Sequence, residues 1–205
     1  MVPSGAGACK IADALYPTER MIRTAIHGVA LTFETDPRLF SPKRVDAGTL
    51  AMLTRARFES NDKVLDLGCG YGAVGVYAAK ILAPEQVWMS DNDPVAIAAA
   101  KNNLLLNGVA GAKLVLSDGF RDFKESGFTK ILFNPPFHVD FSLPKHFIEK
   151  GFNRLALDGQ MLCVTKRRVW YENKLKAIFG RVRIEPLGGY FVFTATKSAH
   201  SFANR

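Results

Sequence analysis

Two short stretches hold residue types that could do chemistry. Asp66-Leu67-Gly68-Cys69-Gly70-Tyr71-Gly72 is an acid followed by alternating glycines. Asn134-Pro135-Pro136-Phe137-His138 is an amide followed by two prolines, an aromatic ring and an imidazole. Glycines at that spacing let a backbone turn tightly and approach a ligand without Cβ interference. Gly68, Gly70 and Gly72 therefore read as a cofactor loop. The run Gly70-Tyr71-Gly72-Ala73-Val74-Gly75 also satisfies the dinucleotide fingerprint, so the glycines alone leave a nicotinamide cofactor and S-adenosylmethionine both open. Asp66 points to the second. An acid just before the first glycine suits the ammonium and sulfonium of a methionine end and is a poor neighbour for a pyrophosphate.

The proline motif points to the reaction. Two prolines remove two backbone donors and stiffen the loop, leaving the Asn134 side-chain carbonyl and the Pro135 backbone carbonyl as acceptors. The exocyclic amine of a purine is a poor nucleophile because its lone pair is delocalised into the ring. Two acceptors holding its N–H groups can pull the nitrogen toward tetrahedral geometry and aim the lone pair at a methyl group. The gain in rate is one of orientation and proximity. Asn134 then borders the cofactor as well as the acceptor. Phe137 offers a ring face to an extruded base, and His138 contacts the base, a phosphate or the loop itself.

These residues need a rigid frame, and the hydrophobic pattern supplies one. Short apolar runs alternate with helical patterns from Lys63 onward: strands over 63–67, 86–91, 113–118, 130–134 and 160–166, with helices over 71–82, 93–107, 144–157 and 170–179. Asp93 and Pro94 read as N-cap and first helical residue. Runs over 181–185 and 190–197 around Gly188-Gly189 read as a hairpin. Strand–helix alternation implies parallel pairing with right-handed crossovers. The predicted fold is Rossmann-like α/β, with a seven-stranded, mostly parallel sheet whose last strand is antiparallel, an arrangement that resembles the class I methyltransferases. Ligands of such sheets bind at the carboxyl edge. Asp91, with Asn92 beside it, ends strand two there with a free side chain suited to ribose hydroxyls. Asp118 ends strand three and either accepts from an adenine amine or caps a helix after Gly119. Ahead of the core, residues 18–56 read as a helix, an extended segment around 29–33, and a second helix from about Asp46.

With those motifs in place, the chain resembles the methyltransferase small family. That family includes two bacterial ribosomal RNA guanine-N2 methyltransferases, a C type acting on the small subunit and a G type acting on the large one, with single-domain archaeal relatives. The likeness covers nearly the whole chain. It rests on Leu39-Phe40-Ser41, Val45-Asp46-Ala47-Gly48-Thr49, Asp66 to Gly72, Asn134 to His138, Phe179-Gly180 and Gly189-Tyr190. It implies S-adenosylmethionine as cofactor and methylation of guanine N2 in ribosomal RNA, with RNA or a ribosomal subunit as partner. N-methylation of an adenine or a protein glutamine stays open beside it. The C and G types carry a second, degenerate domain ahead of the catalytic one, for which 205 residues leave no room. One methyltransferase domain over 1–205 is expected, with residues 1–58 an N-terminal extension and 59–205 the catalytic core.

Bulk properties fit a globular protein with a polyanionic partner. The 27 Lys and Arg outnumber 19 Asp and Glu, giving a formal charge of +8, a surplus that attracts RNA. The Lys166-Arg167-Arg168 run with Trp170 and Tyr171 reads either as a backbone contact or as a solvated turn. Cys9, Cys69 and Cys163 lack metal-ligand spacing. The opening residues resemble neither signal peptide nor anchor, and no apolar run suits a bilayer. A cytoplasmic protein without a membrane or metal partner is expected.

Overall fold

The computed structural model describes residues 21–135 and 140–198. A hairpin of β1 (Met21–Ile26) and β2 (Val29–Glu34) comes first. After α1 (Ala47–Arg55), strands and helices alternate through β3 (Val64–Leu67), α2 (Ala73–Ile81), β4 (Val87–Asp91), α3 (Pro94–Leu106) and β5 (Lys113–Leu116). The second half runs through β6 (Phe128–Phe133), α4 (Ser142–Arg154), β7 (Leu155–Thr165), α5 (Arg168–Phe179), β8 (Val182–Leu187) and β9 (Tyr190–Thr196). The main sheet has seven strands in the order β5-β4-β3-β6-β7-β9-β8, and only β9 runs antiparallel to its neighbours. This is the class I methyltransferase arrangement expected from the sequence.

The chain order reverses between β3 and β6, the point where such sheets open a crevice at their carboxyl ends. Asp66 of β3 pairs with Leu132 of β6. Two residues further along, Gly68 and Asn134 leave the sheet beside each other. Both faces of the sheet are covered, so adjacent strand residues go to different cores. Val64 joins a cluster with Val76, Met89 and Phe33, whereas Leu65 and Leu67 join Phe133, Phe147 and Phe152 beneath α4 and α5. The odd–even alternation puts Asp66 on the α2 face. No helix among the described residues is long and apolar enough to cross a membrane.

The expected helix before residue 29 is a strand wherever it is described. Ile22 and Ile26 are buried while Arg23 and Ala25 are exposed, a period of two. His27 and Gly28 both take positive φ, 48° and 81°, in a two-residue turn of the kind that matches strand twist. Two further boundaries move. Leu155–Leu157 belong to β7, where Phe128 of β6 pairs with Leu155, and not to the preceding helix. No helix follows Gly119, so Asp118 caps none.

The hairpin is tied to α3 by two asparagines. Asn103 Oδ1 accepts from Glu34 N–H (2.7 Å), and its Nδ2 donates to the carbonyls of Glu34 (2.9 Å) and Tyr71 (2.8 Å). One helical turn on, Asn107 Oδ1 accepts from Thr32 N–H (3.0 Å) and Nδ2 donates to Thr32 O (2.7 Å). Four helical residues rise about 6 Å and two strand residues about 6.7 Å, so side-chain amides at i and i+4 can stand in for a partner strand along β2. Asn103 is fully buried. Replacing it by Ala strands three backbone groups, and Asn103→Ala should lower unfolding free energy by about 3 kcal/mol in urea titrations. Asn107→Ala, at a part-buried site, should lose about half as much.

Candidate active site

The two chemical motifs and the segment before α1 close around one cavity of about 260 Å³ at the carboxyl edge of the sheet. Asp66, Gly68, Gly70, Asp91, Asn92, Asp118, Asn134 and Pro135 all line it, and so do Arg38, Phe40, Asp46 and Thr49 from the N-terminal part. Phe137 and His138 lie outside the described residues. Gly72 does not line the cavity. It sits at φ 95° as the residue before α2, where a Cβ would come 2.7 Å from Met89 Cε. Its role is the turn and the close approach of helix to strand. Gly75 packs the same way, with a Cβ position 2.5 Å from Met89 Cγ.

At the glycine loop, the amides of Gly68 and Cys69 donate to the Ser90 carbonyl (2.8 and 2.9 Å), which pins the loop to β4. Asp66 Oδ2 accepts from Gly75 N–H (2.8 Å) in the first turn of α2. The N-terminal end of a helix attracts anions, and here the protein's own carboxylate fills it. A pyrophosphate would have to displace or repel that charge, which argues against a dinucleotide on physical grounds. Asp66 is 4% exposed. Burial raises its carboxyl to about 7, the Gly75 N–H opposes the rise, and the nearby Asp91 charge adds to it. A carboxyl held in that range ionises readily when a cation arrives beside it.

The side chain of Asp91 is not free, contrary to the sequence reading. Its Oδ2 accepts from Gly70 N–H (2.9 Å) and its Oδ1 from Asp93 N–H (3.0 Å). Backbone donors at the strand end are close enough to claim it, which periodicity could not reveal. Each carboxylate oxygen keeps a second acceptor direction, so Asp91 can still take a hydroxyl. Asp93 caps α3 through Val95 N–H (2.8 Å). Asp118 is exposed at the cavity and pairs with Arg121 at 3.1 Å.

At the other motif, Asn134 Nδ2 donates to Asp46 Oδ2 (2.8 Å) and to Thr49 Oγ1 (3.0 Å). Its Oδ1 is buried and has no hydrogen-bond partner among the described residues. Ser90 Oγ, also at the cavity, is likewise buried without a partner among them. Buried acceptors are rarely left unpaired unless a ligand completes them. Asp46 is the N-cap of α1, and the same Oδ2 also accepts from Thr49 N–H (3.0 Å). Gly48 lets this happen, because a Cβ there would lie 2.8 Å from both Asp46 Oδ2 and Tyr190 Cε1. Burial, with the Asp46 charge second, raises the phenols of Tyr71 and Tyr190.

Sequence reasoning missed that Asp46 and Thr49 belong to this site. A helix start near Asp46 was visible in the sequence, but the contact of its side chain with a residue 88 positions away was not.

Comparison with known proteins agrees with this architecture. A ribosomal RNA large subunit methyltransferase G of Alteromonas mediterranea is 29% identical over 198 residues, covering 91% of this chain and 48% of that protein. A ribosomal RNA small subunit methyltransferase C of Psychromonas ingrahamii is 32% identical over 153 residues, covering 73% and 43%. The solved T. thermophilus 16S rRNA N2 G1207 methyltransferase, in complex with AdoMet and guanosine, superposes with a TM-score of 0.79 at 28% identity, covering 87% of this chain and 50% of that one. This chain thus spans about half the length of the curated relatives it matches. The family model for the methyltransferase small domain matches residues 30–194. That stretch takes in the Asp46 cap, the glycine loop and the Asn134 motif together, and the chain belongs to the methyltransferase small domain family.

Proposed function

We propose that this chain transfers a methyl group from S-adenosylmethionine to the exocyclic N2 of a guanine in ribosomal RNA, as a cytoplasmic enzyme. The observation that carries the reading is Asn134 Oδ1, a buried acceptor in the same cavity as the glycine loop and without a hydrogen-bond partner among the described residues. S-adenosylmethionine is the cofactor of this family, and the residues present fit it. Asp66 and the loop of Gly68 and Gly70 would hold the methionine end, Asp91 and Asn92 the ribose hydroxyls, and Asp118 the adenine amine. When bound, the cofactor supplies an electrophilic methyl group on a sulfonium.

The chain's own work is positioning. Asn134 Oδ1 and the Pro135 carbonyl accept the two N–H groups of the amine and turn its lone pair out of conjugation. The nitrogen loses a proton to solvent as the new N–C bond forms, so no strong base is required. Phe137 stacks the extruded base, worth about 1–3 kcal/mol, and His138 contacts the base or a phosphate. Ribosomal RNA is favoured by the activities that the relatives' names state and by charge, and guanine N2 by the activity named for the solved T. thermophilus enzyme. Lys43, Arg44, Lys166, Arg167 and Arg168 are positively charged and exposed. Lys166 Nζ stands 4.9 Å from the Tyr190 ring centre, the same ring that packs on Gly48 beside Asp46. A basic surface thus adjoins the cavity. A single methyltransferase domain, with residues 1–58 as its extension and 59–205 as its catalytic core, is part of this proposal.

Asn134→Ala should reduce methyl transfer by about 100-fold or more while calorimetric affinity for S-adenosylmethionine changes little, since the interaction removed is one made with the acceptor. Retained turnover, or label found in protein and not in guanosine after nucleoside analysis, would overturn the reading.

A cofactor ammonium beside Asp66 stabilises its ionised form. In the free protein the carboxyl, raised to about 7, carries a proton below that pH. Affinity for S-adenosylmethionine should therefore fall, by up to about tenfold per unit, as pH drops below 7, and Asp66→Asn should abolish the dependence. The same carboxyl stabilises the free fold at lower pH. Its folded value lies above the unfolded one near 4, so the free protein should lose stability as pH rises from about 4 to 7 and then level off. Calorimetry and denaturant titrations across this range test both signs.

RNA affinity should fall steeply with salt. Lys166→Ala with Arg167→Ala should flatten that slope by about one for each phosphate no longer neutralised, with cofactor affinity unaltered. An unchanged slope in filter binding would remove this surface from the RNA path.

A further inference from the structure

We infer that Asp46 and Thr49 are positioning residues for methyl transfer, which clamp the Asn134 amide so that its carbonyl oxygen faces the acceptor and strengthen that oxygen as an acceptor. The inference rests on the proposed reading of the cavity and adds to it two residues from a different part of the chain.

An asparagine amide has two ends of similar shape and opposite hydrogen-bonding character. Turned around, Asn134 would present N–H groups to the incoming amine and repel it. The structure decides the orientation by placing two oxygens on one side, Asp46 Oδ2 at 2.8 Å and Thr49 Oγ1 at 3.0 Å. A carboxylate can only accept. A reversed amide would set its own oxygen against a negative charge.

The charge does a second thing. An N–H bonded to an anion releases electron density through the amide, and hydrogen bonds in a chain strengthen one another. The acceptor at Oδ1 is therefore better than that of an amide bonded to water.

Asp46 is itself held still. The Oδ2 that takes the Asn134 amide also caps α1 through Thr49 N–H, and Gly48 lets Tyr190 pack against the turn. Thr49 contributes its backbone to the cap and its hydroxyl to the clamp. The helix start and the amide orientation are one device.

The test separates clamp from cap. Asn is as good an N-cap as Asp, so Asp46→Asn should leave the unfolding midpoint close to wild type. Thr49→Val removes the acceptor hydroxyl at constant shape. In both, kcat on RNA should fall about tenfold while KM and cofactor affinity stay within about twofold, the signature of a loss felt in the transition state. Asn134→Asp puts a second carboxylate against Asp46, and two such groups share a proton. Its activity should decline as pH rises. Adding Asp46→Asn restores a donor–acceptor pair in reverse, and the double variant should exceed Asn134→Asp by about tenfold at pH 8 and lose the pH dependence.

Additive losses in that cycle, or full kcat in Asp46→Asn and Thr49→Val, would overturn the positioning role. A readout independent of any substrate is hydrogen exchange of the Asn134 side-chain NH2 in ¹⁵N spectra. It should be slow in the wild type and faster in Asp46→Asn and Thr49→Val. Fast exchange in the wild type overturns the clamp. Slow exchange in a protein that methylates no guanine overturns the functional reading and upholds the clamp.

Discussion

One carboxylate oxygen, Oδ2 of Asp46, accepts from both the start of α1 and the amide of Asn134. Two parts of the chain with no local reason to meet are thereby held in register. The first is the segment between the hairpin and the central sheet. The second is the loop at the end of β6, where Asn134 lines the cavity. A neutral cap would hold the helix equally well. Charge is what makes the contact directional, because an anion accepts from one end of an amide and rejects the other.

The same logic runs along the rest of the edge. Asp66, Asp91 and Asp93 each accept from backbone N–H groups of a loop or of a helix's first turn. Helix starts and glycine turns expose unpaired donors, and here side-chain carboxylates fill them. The crevice is therefore lined by acidic groups before any ligand arrives. Such a crevice favours a ligand with positive charge and hydroxyl donors and disfavours a pyrophosphate, although the glycine spacing alone would admit either. The cost is visible at Asp66, where burial raises the carboxyl to about 7.

The N-terminal hairpin shows how distant packing reaches this edge. Asn103 and Asn107 serve β2 as a partner strand would, and Asn103 also holds the Tyr71 carbonyl in the glycine loop. The hairpin, the loop and α3 thus share one buried amide. From β2 the chain runs directly through Arg38 and Phe40, at the cavity, to Asp46.

Much of this was legible in sequence. Alternation of apolar runs and helical patterns, with Asp93-Pro94 as a helix start and Gly188-Gly189 as a hairpin turn, determined the order of strands and helices from Lys63 onward. The acid before the glycines and the amide before two prolines marked two stretches that the structure brings to one cavity at the sheet edge. These signals are local, set by backbone sterics and by periods of two and 3.6 residues. Before residue 46 the extended segment around 29–33 is found as β2, but the expected helix ahead of it is a strand, because Met21–Ile26 mixes polar and apolar residues at a spacing that also suits a helix. Its strand identity depends on β2 and on two asparagines more than 65 positions away. The engagement of Asp91 with Gly70, the packing role of Gly72 against Met89, and the pairing of Asp46 with Asn134 are likewise matters of tertiary structure alone. Each is a short polar or steric contact between residues distant in the chain, and a period in the sequence reports which face a residue occupies but not which atom it meets there.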